Sequence, residues 1–86
     1  MRTIWKFLFP IQDEFELMIP LGYKLLHVEV QYGIPCLWAE VETSEPSQPL
    51  GFRLYGTGYP LDPYPQTYVG SFQMAGGDLV WHLYLA

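Results

Sequence analysis

The stretch "YGTGYP" is the part of the chain whose residue types first suggest chemistry. Glycine permits positive φ angles and a close approach of the backbone to another group, so the amides of such a bend can hold an anion. A dinucleotide-binding fingerprint would need a third glycine and a following helix, whereas Tyr59 and Pro60 open a proline-rich segment. The bend is therefore either a structural strand end or part of a binding site. The candidate binding residues around it are Arg53, Tyr55, Gly56, Thr57, Gly58 and Tyr59.

Aromatic side chains that are predicted to point away from the core form a second candidate. Trp38 is predicted to lie beside His27, and further outward residues are Arg53, Tyr55, His82 and Tyr84. Such a surface can stack a flat ring or bury the apolar patch of a partner. For a nucleotide-like ligand, Trp38 and Tyr55 would stack the base while Arg53 and the amides of the bend hold phosphate. The alternative is that these rings are buried in the core or by a second copy of the chain.

Catalytic residues are harder to assemble from this sequence. Hydrolysis of the Ser-His-Asp kind needs a nucleophile against a base that a third group orients. His27 and His82 are the only imidazoles, and Ser71 opposite His82 is the one such pair, which we interpret as an ordinary cross-strand contact. The carboxylates of "DEFE" are interpreted as a solvated acidic edge, because a tuned carboxylate needs burial or a charged neighbour. We therefore predict that the protein is not an enzyme, although a small hydrolase using Ser71 and His82 is the third alternative.

Composition limits the classes of partner. A chain of 86 residues is predicted to form a single domain over residues 1–86, because it buries too little surface for two cores. The formal net charge is −5, and the four cations are Arg2, Lys6, Lys24 and Arg53. Direct binding of DNA or RNA is not expected, since it depends on many cations that displace counterions from phosphate. The acidic surface could meet a basic host protein, or it could simply keep an apolar domain in solution.

The lone cysteine and the length of the apolar runs bear on location. Cys36 cannot form an internal disulfide and gives no metal-site spacing, so no metal and no cofactor are predicted. No apolar run approaches the roughly 18 residues that a membrane-spanning helix needs. Lys6 and Pro10 interrupt the apolar N-terminal segment, and no cleavage site for a leader follows. The expectation is a soluble, unprocessed protein of the bacterial cytoplasm that binds no membrane.

Alternating apolar residues and regularly spaced Pro or Gly predict an all-β fold of about seven strands with little or no helix. The sequence favours a small antiparallel sandwich or a partly open barrel. Between strands four and five, the polar segment 43–50 is predicted to be a mobile connection. Homo-oligomerisation is expected, because a short chain has little material with which to cover its sheet edges. The predicted strands are Thr3–Phe9, Glu14–Ile19, Lys24–Gln31, Ile34–Glu42, Gly51–Tyr55, Tyr68–Met74 and Leu79–Leu85.

Two hairpins decide which side chains face the core. The first turns at Tyr32-Gly33, and its register pairs Val28 with Leu37 and Leu26 with Ala39 on the core side. The outward residues of this hairpin are then Leu25, His27, Glu29, Cys36, Trp38 and Glu40. The second hairpin turns at Gly76-Gly77. It is predicted to pair Phe72 with Trp81 and Met74 with Leu79 toward the core, and to turn outward the pairs Gln73/Val80, Ser71/His82 and Val69/Tyr84.

Four segments together resemble an uncharacterised family of short proteins of unknown function that bacteriophages and prophage-like regions encode. They are "IWKF", "KLLHVEVQYGIPCLWA", the "GTG" bend with its proline, and "YVGSFQMAGGDLVWH". The resemblance covers nearly the whole chain, and the last two segments together are quite specific, whereas "GTG" alone is not. It implies a phage accessory or host-interaction setting, but it brings no activity and no functional residues.

These observations predict a non-enzymatic binding protein of phage type that engages a host factor and inhibits a bacterial defence system. It would act either by covering a host protein or by sequestering a small nucleotide-like signal. The second hypothesis is a structural or assembly protein that associates with itself or packs in the virion.

Overall fold

The computed structural model describes residues 1–86 and contains seven β-strands in two antiparallel sheets. The strands are β1 (Arg2–Leu8), β2 (Glu14–Pro20), β3 (Lys24–Gln31), β4 (Ile34–Glu42), β5 (Ser47–Gly56), β6 (Thr67–Met74) and β7 (Leu79–Leu85). One sheet has the order β1-β4-β3, and the other has the order β2-β5-β7-β6. The all-β prediction is confirmed, and the architecture is sandwich-like rather than a closed barrel.

The fifth strand begins earlier than the sequence indicates. Residues 47–50, predicted to belong to a loop, continue β5 and pair with the end of β2, where Pro49 lies opposite Met18. Proline is tolerated in a strand where its missing amide faces no neighbour. That condition can be met here, because β7 pairs with β5 only from Phe52 to Gly56 and leaves the first part of β5 with one neighbour. The connection between β4 and β5 is therefore shorter than predicted and consists of residues 43–46.

A single hydrophobic core fills the space between the sheets. Alternation along the central strands supplies it, because every second residue of a strand points to the same side. The buried cluster consists of Phe9, Ile19, Val28, Leu37, Ala39, Val41, Phe52, Leu54, Phe72 and Leu83. Two of its rings, Phe9 and Phe52, stack on the partly buried ring of Phe15, with centroid distances of 5.2 and 5.5 Å. This core fixes which face of each sheet is left for solvent.

The two sheets meet along β3 and β6. A Cβ atom on Gly70 would stand 3.2 Å from Cγ2 of Val28 and 3.3 Å from its Cβ. A side chain at position 70 would require Val28 to move by a few tenths of an ångström, so glycine favours this close approach of the strands. Gly70 therefore positions the edge of one sheet against the edge of the other.

Both predicted turns are present. Tyr32 and Gly33 have φ angles of 53° and 76°, as a two-residue hairpin turn with two left-handed residues requires. At the second hairpin, Gly76 and Gly77 have φ angles of 66° and 96°, and the Asp78 amide donates to the Ala75 carbonyl at 3.2 Å. The short 3-10 turn Ala75–Gly77 is the only helical element. The registers that follow these turns pair Val28 with Leu37 and Phe72 with Trp81, as predicted.

The facing of two residues in β3 was predicted wrongly. The register of β3 against β4 shifts between Leu25 and His27, so that Leu25 rather than Leu26 lies opposite Ala39. Leu25 packs against the core, and Leu26 is 42% exposed at the bulge. An extra residue in one strand reverses the facing of every residue beyond it. The sequence does not reveal this bulge, because Leu25 and Leu26 are both apolar and either could face the core.

A second bulge changes the start of β6. The register shifts between Tyr68 and Gly70, so Tyr68 rather than Val69 pairs with Tyr84. Val69 packs against the core instead of facing outward. The outer face of the four-stranded sheet consequently gains a tyrosine. In the other sheet, Cys36 lies opposite Leu8 and Glu29 on the outward side, as predicted, but it is fully buried there.

Candidate functional site

The outer face of the four-stranded sheet collects most of the candidate residues. Directly opposite residues of paired strands share a face, and Arg53 pairs with Tyr84 while Tyr55 pairs with His82. His82 pairs on its other side with Ser71 of β6. The side chains of three strands therefore form one row across this face, beside the bend that ends β5.

A cavity of about 270 Å³ lies between the bend and this row. We call it the bend pocket, and its lining residues are Tyr55, Gly56, Thr57, Gly58, Tyr59, Leu61, His82 and Tyr84. The rings of Tyr55 and Tyr84 meet edge to face with centroids 5.5 Å apart. The structure thus brings together five of the predicted site residues around one cavity. Arg53 lies on the same strand as Tyr55, two residues before it.

Two aromatic rings pack against the backbone of this bend. A Cβ atom on Gly56 would stand 3.5 Å from the ring of Tyr59 and 3.5 Å from the ring of Trp81, which is ordinary van der Waals contact. Gly58 has a φ angle of 90°, which side chains rarely adopt. The bend therefore serves to place an aromatic side chain, Tyr59, which is 65% exposed.

The amide groups of the bend are largely used within the chain. The Thr57 amide donates to the Val80 carbonyl at 3.1 Å, and the Tyr59 amide donates to the Gly56 carbonyl at 3.1 Å. A backbone site for anions needs several free amides that point to one place. The predicted phosphate-holding role of this bend is therefore disfavoured.

The proline-rich loop after the bend fixes one wall of the pocket. The Tyr55 hydroxyl donates to Asp62 Oδ2 at 2.6 Å and lies 3.2 Å from Gln66 Oε1. The Asp62 amide donates in turn to the Tyr55 oxygen at 3.4 Å. Tyr55 is 8% exposed, so its ring is held on the sheet side as well as at its hydroxyl. This wall is therefore organised before any ligand arrives, which lowers the entropic cost of binding.

Arg53 is engaged by the same loop. Its guanidinium lies over the ring of Tyr64, 5.0 Å from the ring centroid, and Nη1 donates to Gln66 Oε1 at 3.3 Å. Its Nε lies 3.7 Å from a carboxylate oxygen of Glu14 and 3.8 Å from one of Asp62. Two carboxylates thus flank one guanidinium whose side chain is only 17% exposed. Arg53 would have to leave these partners to hold the phosphate of a ligand.

A chain of hydrogen bonds crosses the outer face beside the pocket. Ser71 Oγ lies 2.6 Å from His82 Nδ1, and Thr57 Oγ1 lies 2.7 Å from His82 Nε2. The Tyr68 hydroxyl lies 2.6 Å from Ser71 Oγ, and Thr57 Oγ1 donates to the Val80 carbonyl at 3.4 Å. One direction satisfies every group: Tyr68 donates to Ser71, Ser71 to His82, and His82 to Thr57.

This chain contains a nucleophile and a base but not the third catalytic group. In Ser-His-Asp catalysis a carboxylate stabilises the imidazolium that forms when the base takes the proton. Behind His82 stands the neutral hydroxyl of Thr57 instead. The geometry therefore favours a structural role, in which His82 links the bend to β6.

His27 and Trp38 lie apart from the bend pocket. They belong to the three-stranded sheet, with ring centroids 5.9 Å apart, and His27 Nε2 lies 3.3 Å from a carboxylate oxygen of Glu29. Residues of β3 and β6, including His27 and Ser71, line a groove of about 400 Å³ where the two sheets meet. Neither Trp38 nor His27 touches the bend pocket, so the predicted stacking of one base between Trp38 and Tyr55 is not supported.

Sequence reasoning missed the loop residues that complete the site. Asp62, Tyr64 and Gln66 were not predicted to contact the sheet, although each holds Tyr55 or Arg53. The available signal was the loop itself, because three prolines favour an extended path, and an extended loop of this length lies over a neighbouring surface.

No three His, Cys, Asp or Glu side chains converge as a metal site would require. None of the helical structure has the length or hydropathy to cross a membrane.

Comparison with known proteins assigns the chain to a family. A family model described as a domain of unknown function (DUF7352) matches residues 1–86, so the chain belongs to this family. No curated protein and no solved structure matches it. This match is consistent with the predicted membership of an uncharacterised family. Because the family has no known function, the match assigns no activity to the residues of the bend pocket.

Proposed function

We propose that this is a non-enzymatic binding protein that covers a protein partner, and that the bend pocket receives one side chain of that partner. The observation that carries the proposal is the preorganised aromatic pocket, in which Tyr55 is fixed by Asp62 and Gln66 while Tyr59 stands exposed at the rim. Tyr55 is 8% exposed and forms the fixed wall, while the exposed ring of Tyr59 is available for contact, and tyrosine is a typical anchor at recognition surfaces.

The size of the pocket favours a side chain over a nucleotide. Cavities that enclose small-molecule ligands are usually about 300–1,000 Å³. The bend pocket, at about 270 Å³, lies at the lower end of this range, and it opens on the outer face of the sheet. The groups that would bind phosphate are also occupied, since Arg53 lies between Glu14 and Asp62. Sequestration of a nucleotide-like signal is therefore the less supported form of the binding hypothesis.

The charges around the pocket indicate the chemistry of the partner. A neighbouring cavity shares Tyr55 and Tyr59 with the bend pocket and is lined by the acidic residues Asp13, Glu14 and Asp62. No cationic side chain lines either cavity. An aromatic site with an acidic rim suits a partner whose inserted side chain is basic or is surrounded by basic residues.

The biological setting of this proposal is inferred from the resemblance alone. The resemblance to phage and prophage proteins suggests that the covered partner is a host protein in the bacterial cytoplasm, and that covering it inhibits a defence system. A protein that occupies a target needs rigidity, complementary charge and an anchor, all of which the bend pocket supplies. It needs no catalytic group.

Capture of a host protein by a pair of tyrosine variants tests the proposal. The purified protein would be immobilised, exposed to bacterial lysate, and the retained proteins quantified by mass spectrometry. Tyr59→Ala should weaken retention of a specific protein by about 30-fold, because an aromatic anchor contributes about 2 kcal/mol. Tyr32→Asn removes a 93% exposed tyrosine from the distant β3–β4 turn and should leave retention unchanged.

Two outcomes would contradict the proposal. Equal retention by both tyrosine variants would show that the bend pocket is not the anchor. A rise in melting temperature with one member of a nucleotide panel, lost in Tyr59→Ala, would favour sequestration of a small ligand instead. Because the rim is acidic, retention by the wild-type protein should also fall as salt is raised.

An assembly role is the second candidate function, and one observation favours it. Ile4, Leu8 and Met18 expose more than half of their side chains on the outermost strands of the two sheets. Exposed apolar residues at sheet edges can support association between copies of a chain. Open-ended polymers in light scattering would favour this role over host binding.

A further inference from the structure

Strand β1 is an outermost strand with an unpaired side. It pairs with β4 through all seven of its residues, from Arg2 opposite Glu42 to Leu8 opposite Cys36, and it has no neighbour on its other side. Such an edge presents a row of backbone donors and acceptors to any strand that reaches it. Its side chains are also exposed on both faces: Ile4 is 56%, Leu8 is 54% and Trp5 is 41% exposed.

The hydrogen bonds at the two ends of β1 show which residues face the free side. The Met1 carbonyl accepts from the Thr43 amide, and the Phe9 amide donates to the Pro35 carbonyl. In an antiparallel pair, residues that bond to the partner strand alternate with residues that point away from it. Odd-numbered residues of β1 therefore bond to β4. The amides and carbonyls of the even-numbered residues point to the free side, and these residues are Arg2, Ile4, Lys6 and Leu8.

The usual protections of an edge strand are missing from β1. It contains no proline and no bulge, since its register against β4 is unbroken. Its two cations are drawn back over their own sheet: Lys6 Nζ donates to Gln31 Oε1 at 2.7 Å, and Arg2 Nε donates to Glu40 Oε2 at 2.8 Å. The opposite edge strand, β2, carries two exposed carboxylates and ends in a proline. Strand β2 is thus protected against pairing with another strand, and β1 is not.

We propose that β1 pairs antiparallel with β1 of a second copy, around a two-fold axis at Trp5, to form a continuous six-stranded sheet. Charge disfavours the two neighbouring registers that also place even-numbered residues opposite each other, and the axis at Trp5 pairs all seven residues of β1. A two-fold axis at Ile4 would put Arg2 opposite Lys6, and an axis at Lys6 would put two lysines opposite each other; like charges in these positions are destabilising. An axis at Trp5 puts Lys6 opposite Ile4 and Arg2 opposite Leu8.

The register also buries the exposed ring of β1. Trp5 lies opposite Ala39 and so stands on the core side of the sheet, beyond the end of the core, with the ring of Phe7 at a centroid distance of 6.3 Å. In the proposed dimer, the two copies of Trp5 form a pair that is not hydrogen-bonded, in which side chains lie closest. Phe7 then faces Thr3 of the second copy. Four rings form one cluster, which favours a second copy over a foreign strand.

The dimer is closed and leaves the bend pocket free. A two-fold contact uses the same edge of both copies, so it ends at two chains rather than continuing into a fibre. No residue of β1 lines the bend pocket. The dimer therefore presents two pockets, and its test does not depend on the proposed function of either.

Mass measurement over a concentration series tests the pairing. Light scattering on the size-exclusion peak should give twice the 10.0 kDa of the chain at high concentration, falling toward one chain on dilution. Ile4→Lys places a second cation opposite Lys6 and should give a monomer with an unchanged circular dichroism spectrum. Met18→Lys, at a 58% exposed position on the other edge, should remain a dimer. A wild-type monomer up to about 1 mM, or an Ile4→Lys dimer, would overturn the proposal.

Two further variants test the backbone geometry and the axis. Ile4→Pro removes an amide that points to the second copy while the bonds to β4 remain, so it should yield a folded monomer. Trp5→Cys should cross-link on oxidation, because the axis places the two copies of residue 5 side by side within disulfide reach. Thr3→Cys is the matched control and should not cross-link, and the native Cys36 is buried. Cross-linking of Thr3→Cys alone would refute an axis at Trp5.

Discussion

Replacing Gly70 by alanine tests the contact on which the placement of the two sheets depends. The added Cβ would stand 3.2 Å from Cγ2 of Val28, closer than ordinary van der Waals contact. Val28 has little freedom to move, since it is 6% exposed and its β-branched side chain is stiff about χ1. Overpacking of this kind costs about 1–3 kcal/mol.

A second glycine provides the matched control. A Cβ on Gly51 would lie 3.6 Å from Cβ of Ala86, which is ordinary contact. Both substitutions reduce the conformational entropy of the unfolded chain by the same amount, so the difference between the variants isolates the steric cost. For a chain of this size, about 1–3 kcal/mol corresponds to a melting temperature about 4–24 °C lower for Gly70→Ala than for Gly51→Ala.

Thermal unfolding followed by circular dichroism measures the difference. Combining Gly70→Ala with Val28→Ala should cost less stability than the two single losses added together, because the second substitution, although destabilising by itself, makes room for the new methyl group. The coupling between the two sites should be about 0.5–3 kcal/mol, as for residues in contact. If Gly70→Ala melts at or above Gly51→Ala, β3 and β6 do not meet as described, and the groove between them loses its basis.

Two further predictions concern single contacts. Tyr55→Phe removes the hydroxyl that donates to Asp62 and should lower the free energy of unfolding in urea by about 0.5–1.5 kcal/mol, whereas an unchanged value would mean that the loop does not hold the ring. The second concerns Glu42, whose pKa is held below its ordinary value of 4.5 by the hydrogen bond from the N-terminal ammonium of this chain. Because the folded-state pKa is the lower one, this contribution is present above pH 4.5 and is lost as the pH falls through the folded-state value. Glu42→Gln should therefore flatten the decrease in melting temperature on acidification, and an unchanged pH profile would contradict this.

The turns could be predicted from the sequence because their requirements are local. Glycine pairs or glycine after a single residue match the two left-handed positions of a hairpin turn, and the register follows from the turn. This reasoning correctly paired Val28 with Leu37 and Phe72 with Trp81. It failed at Leu26 and Val69, where a bulge inserts one residue. A bulge depends on how the strand fits its neighbours, which adjacent apolar residues do not encode.

The bend pocket was predictable in part for the same reason. Arg53 and Tyr55 alternate on one strand and therefore share a face with the start of the bend, whatever the rest of the fold does. Trp38 was grouped with them wrongly, because alternation gives the side of a strand but not the sheet to which the strand belongs. The roles of Asp62 and Gln66 depend on where the proline-rich loop lies, which no local pattern specifies.

The pairing of β1 with β4 also determines the order in which the chain can fold. Arg2 lies opposite Glu42, so the N-terminal strand leaves the ribosome long before its partner exists, while the β3–β4 hairpin can form at once. During that interval an apolar segment with two open sides is available to chaperones and to other nascent chains.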